Sequence, residues 1–249
     1  MPAPFELSSV VHLVRPAGLT AHDLDQLREG LARATPSSLF LHTVQPIMRH
    51  PAGDTLPPDD VSSWVNGVVQ DRETAERLAF VVSDRGAEPT PLRAGLLEVL
   101  DSIPQAKRVL RDAPEGGDFV FLDLESVAVG TGVFVDDGDG LMAGLAQADA
   151  SVWFYHLIQQ PWLSPDLPSL MDWVRATGDE RLLAWLEESA ASGRPLEEMR
   201  RRLVRRWRQS RLGRRVADAS RRTEDERREA GREAVIGLVR RITSQPEQP

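Results

Sequence analysis

Two histidines and two tryptophans are the residues whose types and spacing could do chemistry. His42 and His156 each end a short run, SSLFLH and SVWFYH, and the two runs share Ser, Phe and His in register. Trp64 and Trp173 lie further along the chain, and each is followed by Val. A histidine can act as a general base or a metal ligand, and a tryptophan face can bind a sugar ring or a cation. If the two runs face each other, the four side chains could line one ligand-binding cleft.

A structural role suits the same four residues, and it is the one we expect. Each histidine would then lie at the edge of the core with a backbone hydrogen bond, and each tryptophan would anchor a helix. None of the 5 histidines lies four residues from another or belongs to a zincin-like motif with glutamate, so no metal site is expected. The glycines at 116–117 and 130–132 lack the phosphate-loop lysine and the dinucleotide pattern, so no cofactor is expected.

The two histidine runs belong to an internal repeat with a constant offset of 114 residues. The offset holds without a gap through the pairs Phe5/Phe119, Gly18/Gly132, Asp23/Asp137, Leu27/Leu141, Gly30/Gly144, Leu31/Leu145 and His42/His156. Beyond His42 the register shifts because the loop 50–60 has a shorter counterpart at 164–169, and loops tolerate such insertions. We interpret residues 1–114 and 115–213 as two repeat units, followed by a charged C-terminal helix and tail at 214–249.

Each unit is predicted to begin with a β-strand. Residues 5–14 are rich in Val and Leu and end at a predicted turn, Arg15-Pro16-Ala17-Gly18. The copy at 119–129 ends at Gly130, and the apolar residues 133–135 could add a hairpin there. A lone strand leaves the backbone groups at both edges unpaired. The two strands are therefore predicted to share one small sheet.

About five helices are predicted to follow each strand, which makes the fold class predominantly helical α+β. Leucines at helical spacing and capping residues indicate most of them. In the first unit the predicted helices are 21–33 (with Thr20 as a possible cap), 37–45, 60–69, 72–82 and 91–103. In the second unit helices are predicted after Asp149-Ala150, at 169–176 and 179–189, and from Pro195 onward.

Asp60 could be a catalytic carboxylate or a helix cap. Its counterpart in the second unit is Ser169, which could not replace a carboxylate in catalysis but could replace it as a cap. We therefore predict that Asp60 caps the following helix. The acidic run 136–140 is predicted to be a solvated turn and helix start, because the ligand ladder of an EF-hand does not follow it.

Three motifs of the first unit resemble a known family. Residues 37–43 read SSLFLHT, residues 57–65 read PPDDVSSWV, and residues 71–78 include Glu-Arg-Leu. They resemble a bacterial and archaeal family of cytosolic proteins of unknown function with the patterns Ser-Ser-Ile-Tyr-Tyr-His-Thr, Pro-Asn-Asp-aromatic-x-x-Trp-Val and Glu-Arg-Leu-Ala. Here Leu41 replaces an aromatic residue and Asp59 replaces Asn. The resemblance implies a fold and a cytosolic location, and it supplies no catalytic residues.

Composition excludes several classes of protein. The chain of 249 residues is 41% hydrophobic and can bury a real core. No apolar run approaches the roughly 18 residues of a membrane span, and residues 1–20 lack the features of a signal peptide, so we expect a cytoplasmic protein without a membrane partner. The absence of cysteine excludes disulfides and a thiol nucleophile.

Charge is distributed unevenly along the chain. Residues 194–241 hold 17 Arg against 8 acidic residues, a net charge of +9, so the rest of the chain carries −17. Such asymmetry can mark nucleic-acid binding. However, Leu196, Met199, Leu203 and Trp207 form an apolar row that a nucleic-acid arm would not need. We therefore expect residues 195–216 to dock on a protein surface, with a second apolar stripe at Val235, Ile236, Val239 and Ile242.

The sequence points to a non-enzymatic binding or scaffold module, with a protein or small-molecule partner and a possible homodimer. One alternative is an enzyme or small-molecule binder that uses His42 and His156, with Trp64 and Trp173, in a cleft between the repeats. A second alternative is nucleic-acid binding through the Arg-rich C-terminal segment. The residues themselves do not name a ligand or a reaction.

Overall fold

The computed structural model describes residues 2–49, 59–86, 88–192 and 194–221. Within them the fold is predominantly helical α+β with a two-stranded antiparallel sheet, as predicted. The chain divides into two compact units, Met1–Val204 and Arg205–Pro249. No helix among the described residues is both long enough and apolar enough to cross a bilayer. The candidate site lies within Met1–Val204, around the sheet.

The sheet is a ribbon of two long strands, β1 (Phe5–Ala21) and β2 (Phe119–Val135). They pair antiparallel along their whole length, from Phe5 opposite Val135 to Ala21 opposite Phe119. Replacing both residues of a pair by their equivalents, 114 residues later for β1 and 114 residues earlier for β2, gives another pair of the same ribbon. The pair His12 and Ser126 is its own equivalent. The ribbon therefore has a pseudo-twofold axis at His12 and Ser126, and the predicted shared sheet is confirmed.

The predicted turn after residue 14 is wrong, and the apolar residues 133–135 do not form the possible hairpin. Each strand instead continues past a register shift, between Pro16 and Leu19 in β1 and opposite the Leu7/Ser8 step in β2. Gly18 and Gly132, which are equivalent, have φ angles of 72° and 74°. A bulge places an extra residue in one strand, and glycine accepts the left-handed backbone that this requires. The glycines that suggest turns thus mark bulges.

The first group of helices matches the predicted elements with shifted ends. The helices are α1 (Leu24–Arg33), α2 (Pro36–Arg49), α3 (Asp60–Gly67), α4 (Arg72–Arg85), α5 (Pro89–Asp101) and α6 (Gln105–Val109). α1 begins later than predicted because Ala21 still belongs to β1, and the side chain of Asp23, rather than Thr20, accepts from the Gln26 amide. The short α6 was absent from the predicted set because five residues show no helical period.

The second group repeats much of this pattern. It comprises α7 (Gly138–Gln147), α8 (Ala150–Phe154), a π-helical turn (Tyr155–Gln159), α9 (Gln160–Leu163), α10 (Leu170–Thr177), α11 (Glu180–Ala190) and α12 (Leu196–Arg221). The helix predicted after Asp149 is confirmed, with a π-helical turn at its centre. Asp137 caps α7, so the acidic run 136–140 is a turn and helix start, as predicted.

The predicted cap of α3 is wrong by one residue. Asp59, not Asp60, accepts from the Ser62 amide and caps the helix. Ser169 does cap α10, through a capping box with Asp172. Asp60 instead lies in the first turn of α3, where a carboxylate also favours the positive end of the helix dipole. Its side chain is therefore free to bind elsewhere.

The start of α12 is buried within Met1–Val204. Leu196, Met199 and Leu203 are buried there, and Arg200 donates to the carbonyl of Ala148. These contacts are the kind that docking of the apolar row on protein requires. Within Arg205–Pro249, the Arg211 guanidinium lies over the Trp207 ring at 5.5 Å. The predicted stripe at Val235, Ile236, Val239 and Ile242 lies outside the described residues.

Candidate functional site

The two histidines occupy equivalent positions and make equivalent contacts. His42, on α2, accepts a hydrogen bond at Nε2 from the Leu122 amide of β2 at 2.9 Å. His156, on the π-helical turn, accepts at Nε2 from the Ser8 amide of β1 at 2.8 Å. Both rings are buried. Because Nε2 accepts, a neutral ring carries its proton on Nδ1. Each helix thus holds the strand of the other half of the sequence by one backbone amide.

Each tryptophan lies beside its own histidine, with a phenylalanine between them. His42 and Trp64 both contact Phe119, at centroid distances of 4.9 and 5.7 Å, and the Trp64 indole donates to the carbonyl of Gly117 at 2.6 Å. The second half has the same arrangement. We call the two groups the first cluster (His42, Trp64, Phe119) and the second cluster (His156, Trp173, Phe5).

The second cluster reproduces the first in detail. The rings of His156 and Trp173 lie 5.1 and 5.5 Å from that of Phe5. The Trp173 indole donates to the carbonyl of Ala3 at 2.8 Å, and Ala3 is the 114-residue equivalent of Gly117. In both clusters a helix residue fixes the residues that enter a strand. The four side chains therefore serve two matching helix–strand junctions.

The two clusters do not meet. Leu122, which His42 binds, pairs with Pro16, and Ser8, which His156 binds, lies eight residues before Pro16 on β1. A strand rises by roughly 3.3 Å per residue, so the two bound amides are about 25 Å apart. The structure brings His42 to Trp64 and His156 to Trp173, but it does not bring the two pairs into one cleft.

The histidines differ at their second ring nitrogen. Nδ1 of His42 lies 3.0 Å from the carboxylate of Asp60. Nδ1 of His156 is buried and finds no hydrogen-bond partner among the described residues. Burial lowers the pKa of His156 to about 4. His156 is therefore neutral at physiological pH, and the first cluster alone has a carboxylate beside its histidine.

Asp59 is the other group with a strongly displaced pKa. Its side chain is buried, and burial raises its pKa to about 6, although the hydrogen bonds from Ser62 act in the opposite direction. Its Oδ2 atom has no hydrogen-bond partner among the described residues. A carboxylate at an N-cap normally stabilises a helix, but here its desolvation opposes that gain.

These contacts restrict the chemistry that the histidines can perform. A general base needs a free ring nitrogen that faces the substrate, and Nε2 of both rings already accepts from a backbone amide. The described residues contain no group of three or more His, Asp or Glu side chains that could hold a metal ion. The geometry suits clamps that join helices to the ribbon.

A polar group at the pseudo-twofold axis was missed by the sequence reasoning. The ring nitrogen Nε2 of His12 lies 2.7 Å from Oε1 of Gln159. Gln45 and Ser126 hold the equivalent positions, and Oε1 of Gln45 and Oγ of Ser126 are buried without a hydrogen-bond partner among the described residues. The 114-residue offset was the sequence signal for this group. When two equivalent strands pair antiparallel and symmetrically, one residue lies opposite its own equivalent, here His12 opposite Ser126.

The outward side of the ribbon was missed as well. Val11, Leu13 and Val127 have exposed fractions of 61%, 62% and 60%. Val11 lies directly opposite Val127, and alternate residues of a strand share a face, so Leu13 and Val129 extend the same surface. We call Val11, Leu13, Val127 and Val129 the ribbon face. The sequence carries no clear signal for it, because β1 has apolar residues on both of its faces, at Val10, Val11, Leu13 and Val14.

Comparison with known proteins identifies a family but no activity. A family model described as "Family of unknown function (DUF5752)" matches residues 2–208. Among solved structures, "The structure of OrfY from Thermoproteus tenax" has a TM-score of 0.68 and 21% identity, covering 82% of this chain and 93% of that chain. At this identity the similarity supports a shared fold alone. No match was found among curated proteins.

Proposed function

Since the chain belongs to the DUF5752 family of unknown function, we propose that it is a non-enzymatic binding module whose interaction surface is the ribbon face. The observation that carries this proposal is the exposure of adjacent Val11, Leu13 and Val127 at about 60% each. Full burial of such a side chain is worth about 1.5–3 kcal/mol. Contiguous exposed apolar surface marks an interaction site more often than scattered apolar residues do.

The clusters support this proposal by giving the ribbon a rigid frame. His42 and His156 each bind a backbone amide in the N-terminal half of one strand. Trp64 and Trp173 each bind the carbonyl of a residue just before that strand. A binding surface on a rigid element loses less conformational entropy when it binds than a mobile loop does. The buried residues thus act as supports for the exposed face.

We also infer that the two halves are an internal duplication, with repeat units at 1–114 and 115–213. The matching histidine, tryptophan and strand-pairing contacts at a single offset support this inference. Because each histidine binds the other unit's strand, the units should fold only together. Fragments 1–114 and 115–213 should each give weak helical circular dichroism alone and a strong signal after mixing. Full helicity of either fragment alone would contradict this inference.

Nucleic-acid binding has less support. Within the described part of the Arg-rich segment, Arg194 and Arg202 pair with Glu198, and Arg200 lies 3.7 Å from Glu197. These arginines already have carboxylate or carbonyl partners. Binding of unrelated DNA duplexes that falls steeply with salt would favour this second function over the first.

The proposed function can be tested by site-specific photo-cross-linking in the producing cell. Leu13 is replaced by p-benzoylphenylalanine, and the matched control carries the same replacement at Phe80, which is 70% exposed on α4. Discrete adducts at position 13 and none at position 80 are expected. No adduct at position 13, or the same adducts at both positions, would overturn the proposal. The mass of the adduct separates a second copy of the chain from another protein.

A further inference from the structure

The two strands of the ribbon expose opposite halves of their outer edges. In β1 the residues from 13 to 20 are mostly exposed, and in β2 those from 127 to 134 are exposed. The other half of each strand is held by the other unit's helices, through His156 at Ser8 and His42 at Leu122. A two-stranded sheet has two such edges, and an unpaired edge is a template for pairing with another strand.

The two exposed edges are protected to different degrees. The β1 edge contains Arg15, which is paired with Glu125, and Pro16, which has no amide hydrogen. Charge and proline are the usual means of blocking edge-to-edge pairing. At the equivalent positions the β2 edge has Val129 and Gly130, and residues 127–134 contain neither a charge nor a proline. The bulge at 131–132 limits pairing there, and beyond it the Gly132 and Val133 amides already donate to Glu6 Oε1 and Thr131 Oγ1, each at 3.3 Å. The stretch 127–130 before the bulge contains no such polar side chain.

We propose that the outer edge of β2, residues 127–134, joins two copies of this chain by antiparallel pairing of the two β2 strands across a twofold axis. This inference rests on the proposed function and names a second copy as the partner. The two ribbons would become one four-stranded sheet, and the ribbon faces of both copies would be continuous on it. Val127 and Val129 would lose exposed surface at the new contact.

The composition of the edge favours a second copy over another occupant. In a twofold contact the same segment lies on both sides, so a charge near the axis meets its own copy. Residues 127–134 have no charged side chain of their own, although the chain as a whole has a net charge of −8. Glu6, whose carboxylate accepts from the Gly132 amide at 3.3 Å, pairs with Phe134, beyond the 127–130 stretch. Among the described residues the ribbon offers one edge without a charge or a proline, since Arg15 and Pro16 protect the other. Pairing therefore closes at a dimer and does not continue into a fibre.

The length of the exposed β2 edge limits the expected affinity between the two copies. The bulge leaves a short straight stretch, so the contact is smaller than the roughly 800 Å² per partner of a stable complex. The dimer should be reversible and visible only at high protein concentration. Sedimentation-velocity ultracentrifugation from low micromolar to near-millimolar concentration covers that range. The sedimentation coefficient of the natural chain should rise with concentration from that of a monomer to that of a dimer.

The decisive variant gives β2 the residue that protects β1. Val129→Arg places an arginine where Arg15 stands in the other strand, and Val129 is 47% exposed. The matched control is Val120→Arg, at a residue of β2 that is 46% exposed but lies outside the 127–134 edge. Val129→Arg should stay monomeric at every concentration, and Val120→Arg should dimerise like the natural chain. Helical circular dichroism shows that both variants fold.

A second measurement uses the absence of cysteine. A single cysteine at position 129 faces its own copy near the proposed axis, and a disulfide forms only when two Cα atoms come within about 7 Å. Val129→Cys should give a covalent dimer on mild oxidation, and Val120→Cys should give far less. Equal cross-linking of the two variants would overturn the proposed pairing.

Failure of the dimer is distinguishable from failure of the proposed function. A natural chain that stays monomeric throughout, or a Val129→Arg variant that dimerises normally, overturns the dimer. If the photo-cross-linker at position 13 still gives a discrete adduct with a different protein, the binding function stands without the dimer. If it gives no adduct, both proposals fail.

Discussion

The two histidine clusters share one contact and differ in another. Nε2 of His42 and of His156 accepts from a strand amide at nearly the same distance, 2.9 and 2.8 Å. Nδ1 of His42 has the carboxylate of Asp60, whereas Nδ1 of His156 has no such partner among the described residues. The contact common to both halves is the one the ribbon requires. The carboxylate is an addition that the fold does not need in order to join helix to strand.

Burial also shifts the pKa of one group in each half, upward in the first half and downward in the second. In the first half, burial raises the pKa of Asp59 to about 6, so a charged carboxylate there costs stability at neutral pH. In the second half, burial lowers the pKa of His156 to about 4, so a charged imidazole there costs stability in acid. The two effects oppose each other between about pH 4 and 6.5. A mutation that removes one of the two groups should therefore leave the pH dependence of stability that the other group produces.

The largest expected effect tests whether the tryptophans are equivalent. Trp64→Ala and Trp173→Ala should each lower the free energy of unfolding by about 3–5 kcal/mol, because each removes a buried indole and leaves a cavity. Urea unfolding at pH 7 measures both values. The control Trp→Phe at each position should cost less, since it keeps most of the buried area and loses mainly the bond to Gly117 or Ala3. A loss under about 1 kcal/mol at one position alone would show that the two clusters contribute unequally to the free energy of unfolding.

The next effect is the acid sensitivity of the second cluster. Because the pKa of His156 is lower in the folded chain than its ordinary value of 6.5, its stabilising contribution is complete above pH 6.5 and is lost as the pH falls toward 4. The stability of the natural chain relative to His156→Gln should fall by about 3 kcal/mol from pH 7 to pH 4. Urea unfolding at several pH values gives this difference. A difference that does not change with pH would mean that the ring takes up its proton as easily in the folded chain as in the unfolded one.

Asp59 should behave in the opposite way. Its pKa is raised in the folded chain, so its contribution is fully present below pH 3.8 and is lost as the pH rises through about 6. Asp59→Asn keeps an acceptor for the Ser62 amide and removes the buried charge, so it should stabilise the chain at pH 7 by up to about 3 kcal/mol. The gain should vanish at pH 3.5 or below.

Asp60→Asn is the matched control for this effect. Asp60 has a half-exposed side chain and binds His42, so its replacement should give no gain at pH 7. Differential scanning calorimetry at both pH values measures the two variants side by side. Equal stabilisation by the two replacements would show that removing any negative charge from α3 has the same effect and that burial of Asp59 is not the cause.

The smallest expected effect lies at the pseudo-twofold axis. His12→Ser removes the partner of Gln159 and should cost about 1–3 kcal/mol, since it leaves a buried amide unpaired. Ser126→His supplies Gln45 with the same partner and should raise the unfolding free energy by about 1 kcal/mol. Thermal unfolding of the two variants and of the double exchange measures this comparison. A loss of stability for Ser126→His would mean that Gln45 is not placed as Gln159 is.

Local signals account for the part of the fold that was predictable. Leucines at helical spacing and capping residues act within a few positions of the chain, so most helices were found with errors at their ends. The constant offset of 114 residues predicted the shared sheet, because two lone strands must pair with something. Asp59 and Asp60 show the limit of such signals. Both suit an N-cap by type, and only the structure shows that Asp59, with its extended backbone, is the cap.

The sequence by itself predicted most of the helices, the 114-residue offset that relates the two halves and the sheet that the two strands share. Only the tertiary structure decided which atoms the equivalent residues bind, because those partners lie 80 residues away for His42 and 148 residues away for His156. It also decided that the ribbon runs through its glycines and leaves Val11, Leu13 and Val127 exposed. The physical reason is that a strand has no partner of its own in sequence. Its register, its bulges and its exposed edge are fixed only when the other strand and the helices pack against it.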